Sequence, residues 1–159
     1  MAIKMKTKIF LGTDHAGFNL KEEIKKYLQK LGMKVEDCGA YKFDPDDDYP
    51  KFIIKAAKKV AAGKNSMGIV LGASGQGEAI AANKVKGIRA AVYYGSNLEI
   101  VKLSRAHNDA NVLSLGARFL SKEKAIEAVG LWLETGFSNE NRHKRRIKQI
   151  GNIEKSLCR

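Results

Sequence analysis

Short apolar segments alternate with longer stretches of helical periodicity along the whole chain. The apolar segments are typical of buried strands, which we predict at residues 8–12, 33–38, 67–71, 88–93 and 111–115. Residues 68–71 contain no polar side chain, as expected for a strand that is covered on both faces. The helical periodicity predicts helices at about residues 20–31, 52–62, 78–85, 97–105, 122–134 and 141–150.

This alternation indicates an α/β fold. Strands joined through helices form a parallel sheet with helices on both faces, so we predict a three-layer sandwich around a five-stranded parallel sheet. No repeat, linker or low-complexity segment divides the chain. We therefore expect one domain over residues 1–159, with a basic helix and tail from about residue 139. Ligands of such sheets bind beyond the carboxyl ends of the strands, which directs attention to the segments after the first and third strands.

Charge and composition narrow the class of partner. The formal net charge of +12 favours phosphorylated or polyanionic partners. Residues 142–159 hold seven Lys or Arg and one acid, but no interleaved aromatic residues that could stack on bases, so nucleic acid is disfavoured. No apolar run reaches the roughly 18–20 residues that span a bilayer, and the chain starts without a signal-peptide pattern. We expect a cytoplasmic protein without membrane contact. Cys38 and Cys158 lack metal-ligand spacing, and we interpret them as a buried residue and a free tail thiol.

A polar pair follows the first predicted strand, within the segment Gly-Thr-Asp-His-Ala-Gly at residues 12–17. An aspartate beside a histidine can orient the imidazole, or the two can hold sugar hydroxyls. The alternative is structural: Asp14 would cap the next helix, as aspartate often does, and His15 would be incidental. The residues alone do not decide between these interpretations.

A glycine-rich turn, Gly-Ala-Ser-Gly-Gln-Gly at residues 72–77, follows the third strand. Glycines let several N–H groups point at one spot, which creates an anion site at the start of a helix. The spacing is not that of dinucleotide-binding turns, and no Gly-Lys-Ser/Thr follows, so nicotinamide cofactors and ATP are disfavoured. The alternatives are a tight turn without a ligand and, for Glu78, an acid that the helix dipole favours in the first turn.

Three further groups are candidates for binding. His107 and Asn108 lie in a dense polar cluster before the fifth strand, where they could equally end a helix. Arg118 follows that strand and could be a surface residue. Arg142 and Arg146 are four residues apart on one helical face, where two guanidiniums suit a phosphate, although a solvated basic helix would look the same.

Taken together, these motifs resemble those of one family, the type-B ribose-5-phosphate isomerases, which also includes galactose-6-phosphate isomerase subunits. The resemblance covers residues 8–150 and keeps the order of the motifs. It rests on Gly-Thr-Asp-His-Ala-Gly-Phe-x-Leu-Lys, Asp-Tyr-Pro, Gly-Ala-Ser-Gly-Gln-Gly-Glu-x-Ile-Ala-Ala-Asn-Lys, Gly-Ile-Arg-Ala-Ala, Ser-Arg-x-His-Asn-Asp-Ala-Asn and Arg-His-x-x-Arg.

The resemblance implies a Rossmann-like sheet and a homodimer, sometimes a tetramer, with active sites at the subunit interface. Many members have a cysteine base at the end of the third strand, where this chain has Gly72. The chain resembles the other branch, in which a glutamate at the position of Glu78 is the base, and His107 matches the residue that assists ring opening. The residues that match substrate-binding positions are Asp14, His15, Ala73, Ser74, Gly75, Gln76, Gly77, Asn108, Arg118, Arg142 and Arg146.

We therefore expect an enzyme that interconverts ribose 5-phosphate and ribulose 5-phosphate through an enediolate. Glu78 would move the carbon-bound proton, amides of the 73–77 turn would stabilise the oxyanion, and the arginines would anchor phosphate. No step needs a metal or another cofactor. The alternatives are the same reaction on a hexose 6-phosphate or tetrose phosphate, a non-catalytic sugar-phosphate binder, and a nucleic-acid binder.

Overall fold

Five parallel strands form a single sheet in the order β2-β1-β3-β5-β4. The computed structural model describes residues 7–157. The strands are β1 (Lys8–Thr13), β2 (Lys34–Asp37), β3 (Ser66–Gly72), β4 (Ala90–Tyr93) and β5 (Val112–Gly116). A short 3₁₀ turn (His15–Gly17) precedes the first of the helices, which are α1 (Phe18–Lys30), α2 (Tyr49–Ala62), α3 (Gln76–Ala82), α4 (Glu99–Ala106), α5 (Lys122–Glu134) and α6 (Asn141–Leu157).

Helices cover both faces of the sheet, which confirms the predicted three-layer fold. Successive side chains of a strand point to opposite faces. Leu71 and Leu115 pack with Trp132 of α5 on one face, together with α1 and α4. Val70 and Val112 pack with α2 and α3 on the other face. The central strand β3 is therefore buried on both faces, as its apolar run predicted. Within residues 7–157, no helix combines the length and the apolar character that crossing a membrane would require.

Several predicted boundaries were wrong, and each has a local cause. Helix α2 begins at Tyr49, three residues before the predicted start at residue 52, because Pro50 occupies the first turn, where its missing N–H costs no hydrogen bond. Strand β4 begins at Ala90, two residues after the predicted start at residue 88, because the Ile88 N–H donates to the Val85 carbonyl in a turn. Helix α6 extends past residue 150 to Leu157, and Glu154 of this extension accepts from the Gly87 N–H at 2.9 Å.

A buried lysine fixes the segment that follows β2. The Lys21 side chain is fully buried, and its Nζ donates to Asp37 Oδ1 and Oδ2 at 2.8 and 2.7 Å and to the Ala40 carbonyl at 2.6 Å. The same segment bonds to the end of β1, where the Ala40 N–H donates to the Thr13 carbonyl at 2.7 Å. Cys38, within this segment, is buried as predicted, whereas Cys158 lies outside the described residues. These contacts hold the start of the following loop against the carboxyl end of β1.

Candidate functional site

The structure separates the predicted site residues into two clusters at opposite ends of the sheet. Asp14, Glu78 and Arg118 each follow the carboxyl end of a strand, whereas His107 and Asn108 precede β5 and so lie at its amino end. A strand rises about 3.3 Å per residue, so the two ends of the five-residue β5 are about 13 Å apart. We call the first set, with His15 and the 73–77 turn, the carboxyl-end cluster, and His107, Asn108, Arg142 and Arg146 the amino-end cluster.

The glycine-rich turn is held rigidly between β3 and α3. Gly75 has a φ of +78°, and a Cβ added there would lie 2.9 Å from the Leu115 carbonyl carbon, so only glycine fits without strain. The Gly75 carbonyl accepts from Ser114 Oγ at 2.6 Å. On the other side, the Arg118 N–H donates to the Ala73 carbonyl at 3.1 Å. The turn and the start of α3 therefore have one fixed geometry beside the end of β5.

Glu78 lies at the centre of the carboxyl-end cluster. Only 4% of the residue is exposed, so it is not the solvated acid that a helix start alone would explain. Burial raises the pKa of its carboxyl group, and the charge of Asp14 adds to this, while the N–H groups of Glu78 and Gly75 oppose it. A Cβ built on Gly72 would overlap the Glu78 carboxylate. The carboxylate thus occupies the space above the end of β3 that a side chain at position 72 would need.

Asp14 caps the turn after β1 and also lies beside Glu78 in the carboxyl-end cluster. It is buried, it caps the 3₁₀ turn, and its Oδ1 accepts from the Ala16 N–H at 3.0 Å. The capping interpretation is therefore confirmed for this turn, whereas α1 itself begins after Gly17 without a side-chain cap. Because Thr13 pairs with Leu71 in the sheet register, the residue after it also lies beside Gly72 and the Glu78 carboxylate, whose pKa it raises. Asp14 and Glu78 thus form a pair of neighbouring carboxylates.

His15 is held by a residue that the sequence did not single out. Asp47 Oδ1 lies 2.8 Å from His15 Nδ1 and accepts from the His15 N–H at 2.9 Å. This hydrogen bond is the main reason that the pKa of His15 is raised; the charges of Asp14 and Asp47 contribute, and Arg118 opposes them. Oxygens of Asp14 and Asp47 and a His15 nitrogen lie within 4.8 Å of one another. His15 Nδ1 and Asp14 Oδ1 are already hydrogen bonded, and we assign no metal to this group.

Tyr49 was also missed as a site residue, although it belongs to the Asp-Tyr-Pro motif. It opens α2, and a Cβ added at Gly77 would lie 2.7 Å from its hydroxyl oxygen. The hydroxyl therefore lies directly over the glycine-rich turn. The signal in the sequence was a tyrosine next to a proline at the end of a polar loop, which does not by itself indicate a contact with a turn 28 residues away.

His107 of the amino-end cluster stacks against a second histidine. His107 caps the C-terminus of α4, so the helix-end interpretation is confirmed for this residue. Its ring lies 4.2 Å from the ring of His143, which is 2% exposed and whose Nδ1 lies 2.7 Å from Ser138 Oγ. Burial, followed by the nearby His107, lowers the pKa of His143. His143 was not predicted as a site residue; the signal was its place within Arg-His-x-x-Arg.

The remaining predicted residues of this end are exposed in a single chain. Asn108 and Arg146 are exposed, and Arg142 Nε donates to Glu140 Oε2 at 2.8 Å in an exposed pair. Such a pair is weak, so it leaves Arg142 available to an anion. Within one chain, these groups do not come together with Glu78 at the other end of the sheet.

Comparisons with known proteins find relatives over nearly the whole chain. Residues 9–150 match the family model described as Ribose/Galactose Isomerase. Ribose-5-phosphate isomerase B of Mycolicibacterium paratuberculosis is 43% identical over 149 residues, which cover 94% of this chain and 92% of that protein. Ribose-5-phosphate isomerase B of Clostridium thermocellum superposes with a TM-score of 0.89 at 44% identity, covering 95% of this chain and 99% of that one.

A further relative was solved with a sugar phosphate. The Mycoplasma genitalium ribose-5-phosphate isomerase B with bound ribulose 5-phosphate superposes with a TM-score of 0.90 at 38% identity, covering 95% of this chain and 98% of that one. The family match over residues 9–150 contains the glycine-rich turn and the first part of α6, and so includes both clusters. The resemblance noted in the sequence is confirmed, and the chain belongs to the ribose/galactose isomerase family.

Proposed function

We propose that this protein interconverts ribose 5-phosphate and ribulose 5-phosphate. The observation that carries the proposal is its relation to ribose-5-phosphate isomerase B proteins, at about 42–43% identity over more than nine tenths of both chains. The buried carboxylate beside a rigid glycine-rich turn supplies the groups that proton transfer next to a carbonyl requires. A cytoplasmic location stays a prediction, which cell fractionation would test.

In this proposal Glu78 is the base. Its carboxylate removes the proton from C2 of the open-chain aldose, and the electron pair forms the C1–C2 double bond while negative charge develops on O1. The proton then returns to C1, O1 gains a proton and O2 loses one, which leaves the ketone at C2. Burial that raises the pKa of Glu78 makes its carboxylate a stronger base than an exposed glutamate.

Other groups of the carboxyl-end cluster would bind the substrate. The N–H groups of the turn are fixed by the contacts of Ala73 and Gly75, so they would stabilise the enediolate oxygen without reorganising. Asp14 and His15 would hold sugar hydroxyls. Arg118, next to His15, would contribute positive charge at the same end.

The amino-end cluster would complete the site from a second copy of the chain. One chain keeps His107 and Arg142 at the far end of the sheet from Glu78, so a homodimer would be needed to bring a ring-opening histidine and phosphate-binding arginines to the base. Exposed apolar side chains on α3, α4 and α6 and just after β4 and β5 support such an interface, since large apolar groups left in water indicate contact surfaces. They are Ile80, Tyr94, Ile100, Phe119, Ile150, Ile153 and Leu157.

Mixing two inactive variants would test the shared site. Glu78→Gln and His107→Ala carry their changes in different clusters, so a mixed dimer would contain one intact site and one doubly altered site. Random pairing of equal amounts should restore about a quarter of the sites of the unaltered dimer. Absence of any recovery after co-expression, with mixed dimers demonstrated by mass spectrometry, would show that both clusters act within one chain or that they do not form one site.

The substrate is tested directly by a coupled assay. The purified protein is given ribose 5-phosphate, ribulose 5-phosphate or allose 6-phosphate, with EDTA present. We expect turnover of the pentose phosphates to give the higher kcat/KM. A higher value for the hexose phosphate would keep the reaction and change the substrate. Binding without turnover would indicate a sugar-phosphate binder, and tight RNA binding without turnover would favour the charge-driven alternative.

A further inference from the structure

The loop between β2 and α2 contains the run Asp46-Asp47-Asp48, and its middle residue differs from its neighbours. Asp46 and Asp48 are exposed, as expected for charges in a polar loop. The side chain of Asp47 is only 9% exposed and is directed at His15. Its Oδ2 is buried without a hydrogen-bond partner within residues 7–157. Burying a carboxylate with one oxygen unsatisfied costs stability, so the placement of Asp47 is not explained by stability alone.

The contacts of Asp47 determine both the orientation and the proton of the His15 ring. Oδ1 accepts from the backbone N–H of His15 at 2.9 Å and lies 2.8 Å from Nδ1. An ionised carboxylate can only accept hydrogen bonds, so Nδ1 must carry the proton of this contact. Phe43 of the same loop meets the ring edge-on, with centroids 6.3 Å apart at 83°. The loop thus holds the imidazole through the Asp47 contact at Nδ1 and the edge-on Phe43 contact. Nε2 remains as the polar atom for other contacts.

We propose that Asp47 is a positioning residue of the isomerase, which fixes the tautomer and orientation of His15 so that Nε2 meets the sugar phosphate in one geometry. The proposal rests on the proposed function, because it needs a substrate beside His15. A free imidazole can turn over and can exchange its proton between two nitrogens, so most of its states would present the wrong atom. A carboxylate on Nδ1 removes these states, as in other sites where an acid orients a histidine.

The charges around His15 make the contact measurable. Asp14 and Asp47 face the ring and raise the pKa of His15, whereas Arg118 lowers it. Removing the Asp47 carboxylate should therefore lower the pKa of His15. Because the chain contains three histidines, the ring signals can be followed separately by NMR, and His15→Gln identifies the relevant one.

The experiment compares Asp47→Ala, Asp47→Asn and Asp46→Asn. The asparagine oxygen can still accept from Nδ1 but lacks the charge, and Asp46 is an exposed neighbour with the same charge change. We expect Asp47→Ala to lower kcat/KM for ribose 5-phosphate by about 10- to 100-fold, the loss that misplacement of a binding group causes. Asp47→Asn should lose less, both variants should shift the His15 titration to lower pH, and Asp46→Asn should change neither quantity.

Two results would overturn the proposal. One is a His15 titration in both Asp47 variants that coincides with that of Asp46→Asn, since the contact would then not exist in solution. The other is a shifted titration with unchanged kinetics, which would leave Asp47 as a structural partner only. If Asp47→Ala does not fold, Asp47→Asn carries the test. An unaltered protein that does not turn over ribose 5-phosphate would instead refute the proposed function, and the titration would still report the contact.

Discussion

Replacing Glu78 by glutamine tests the proposed base most directly. Glutamine matches the shape of glutamate but cannot take up the proton, and Glu78 is 4% exposed, so water cannot readily substitute for it. A positioned general base contributes roughly 100- to 10,000-fold, or about 2.7–5.4 kcal/mol of the barrier. We expect a loss in the upper part of this range, because the nearby Asp14 carboxylate already accepts from the Ala16 N–H.

Two assays measure the loss, and one variant controls for the substitution itself. The coupled assay gives kcat and KM, and NMR in heavy water follows exchange of the carbon-bound hydrogen of the substrate. Glu99→Gln makes the same change in the first turn of α4 at an exposed position and should retain full activity. A Glu78→Gln protein that isomerises and exchanges normally, while Asp14→Asn does not, would refute the reasoning and make Asp14 the base.

The Glu78→Gln variant should be more stable than the unaltered protein at neutral pH. Burial raises the pKa of Glu78 in the folded state. As the pH rises, the unfolded chain therefore releases this proton at a lower pH than the folded protein does. The free energy of unfolding of the unaltered protein decreases over this range, until the pH passes the folded-state pKa of Glu78. Glutamine does not titrate, so its contribution is independent of pH. Urea denaturation should show the stability advantage of Glu78→Gln at pH 7 and its shrinkage toward pH 4; an advantage that does not change with pH would contradict the burial argument.

Three other predictions concern the space, the charge and the chemistry of the site. Gly72→Ala should lower kcat by about 10- to 100-fold, because its Cβ would displace the Glu78 carboxylate. The control Gly136→Ala should keep its kcat, because the added Cβ would meet nothing within 4 Å. Equal activities of the two variants would contradict the overlap at position 72. Arg142→Ala or Arg146→Ala should mainly raise KM, because substrate binding would weaken by the roughly 1.5–3 kcal/mol of a charge-assisted hydrogen bond. Unchanged kinetics in both variants would indicate that the two arginines belong to a solvated basic helix without a role in binding. Activity should survive exhaustive chelation, and restoration only by a divalent ion would refute the metal-free mechanism.

The sheet and the glycine-rich turn could be predicted because their signals are local. An uninterrupted apolar run such as that of β3 is typical of a strand covered on both faces, and the Gly75 conformation suits a glycine. The separation of the two clusters could also be predicted from the order of the elements. His107 precedes a parallel strand and Glu78 follows one, so the two residues lie at opposite ends of the sheet. The contact between Asp47 and His15 was not, because it joins residues 32 positions apart through a loop without periodicity. Three consecutive aspartates indicate a polar turn but not which of them points inward.

The overlap between position 72 and the Glu78 carboxylate also constrains how such enzymes can evolve. The resemblance described in the sequence implies that other members have a cysteine base where this chain has Gly72. Adding that side chain here would displace the existing carboxylate, and removing Glu78 first would take away the proposed base. The two positions are in contact, so their effects cannot simply add. An ancestor could exchange one base for the other only by changing both positions nearly together or by passing through an impaired intermediate, which would keep the two branches of the family apart.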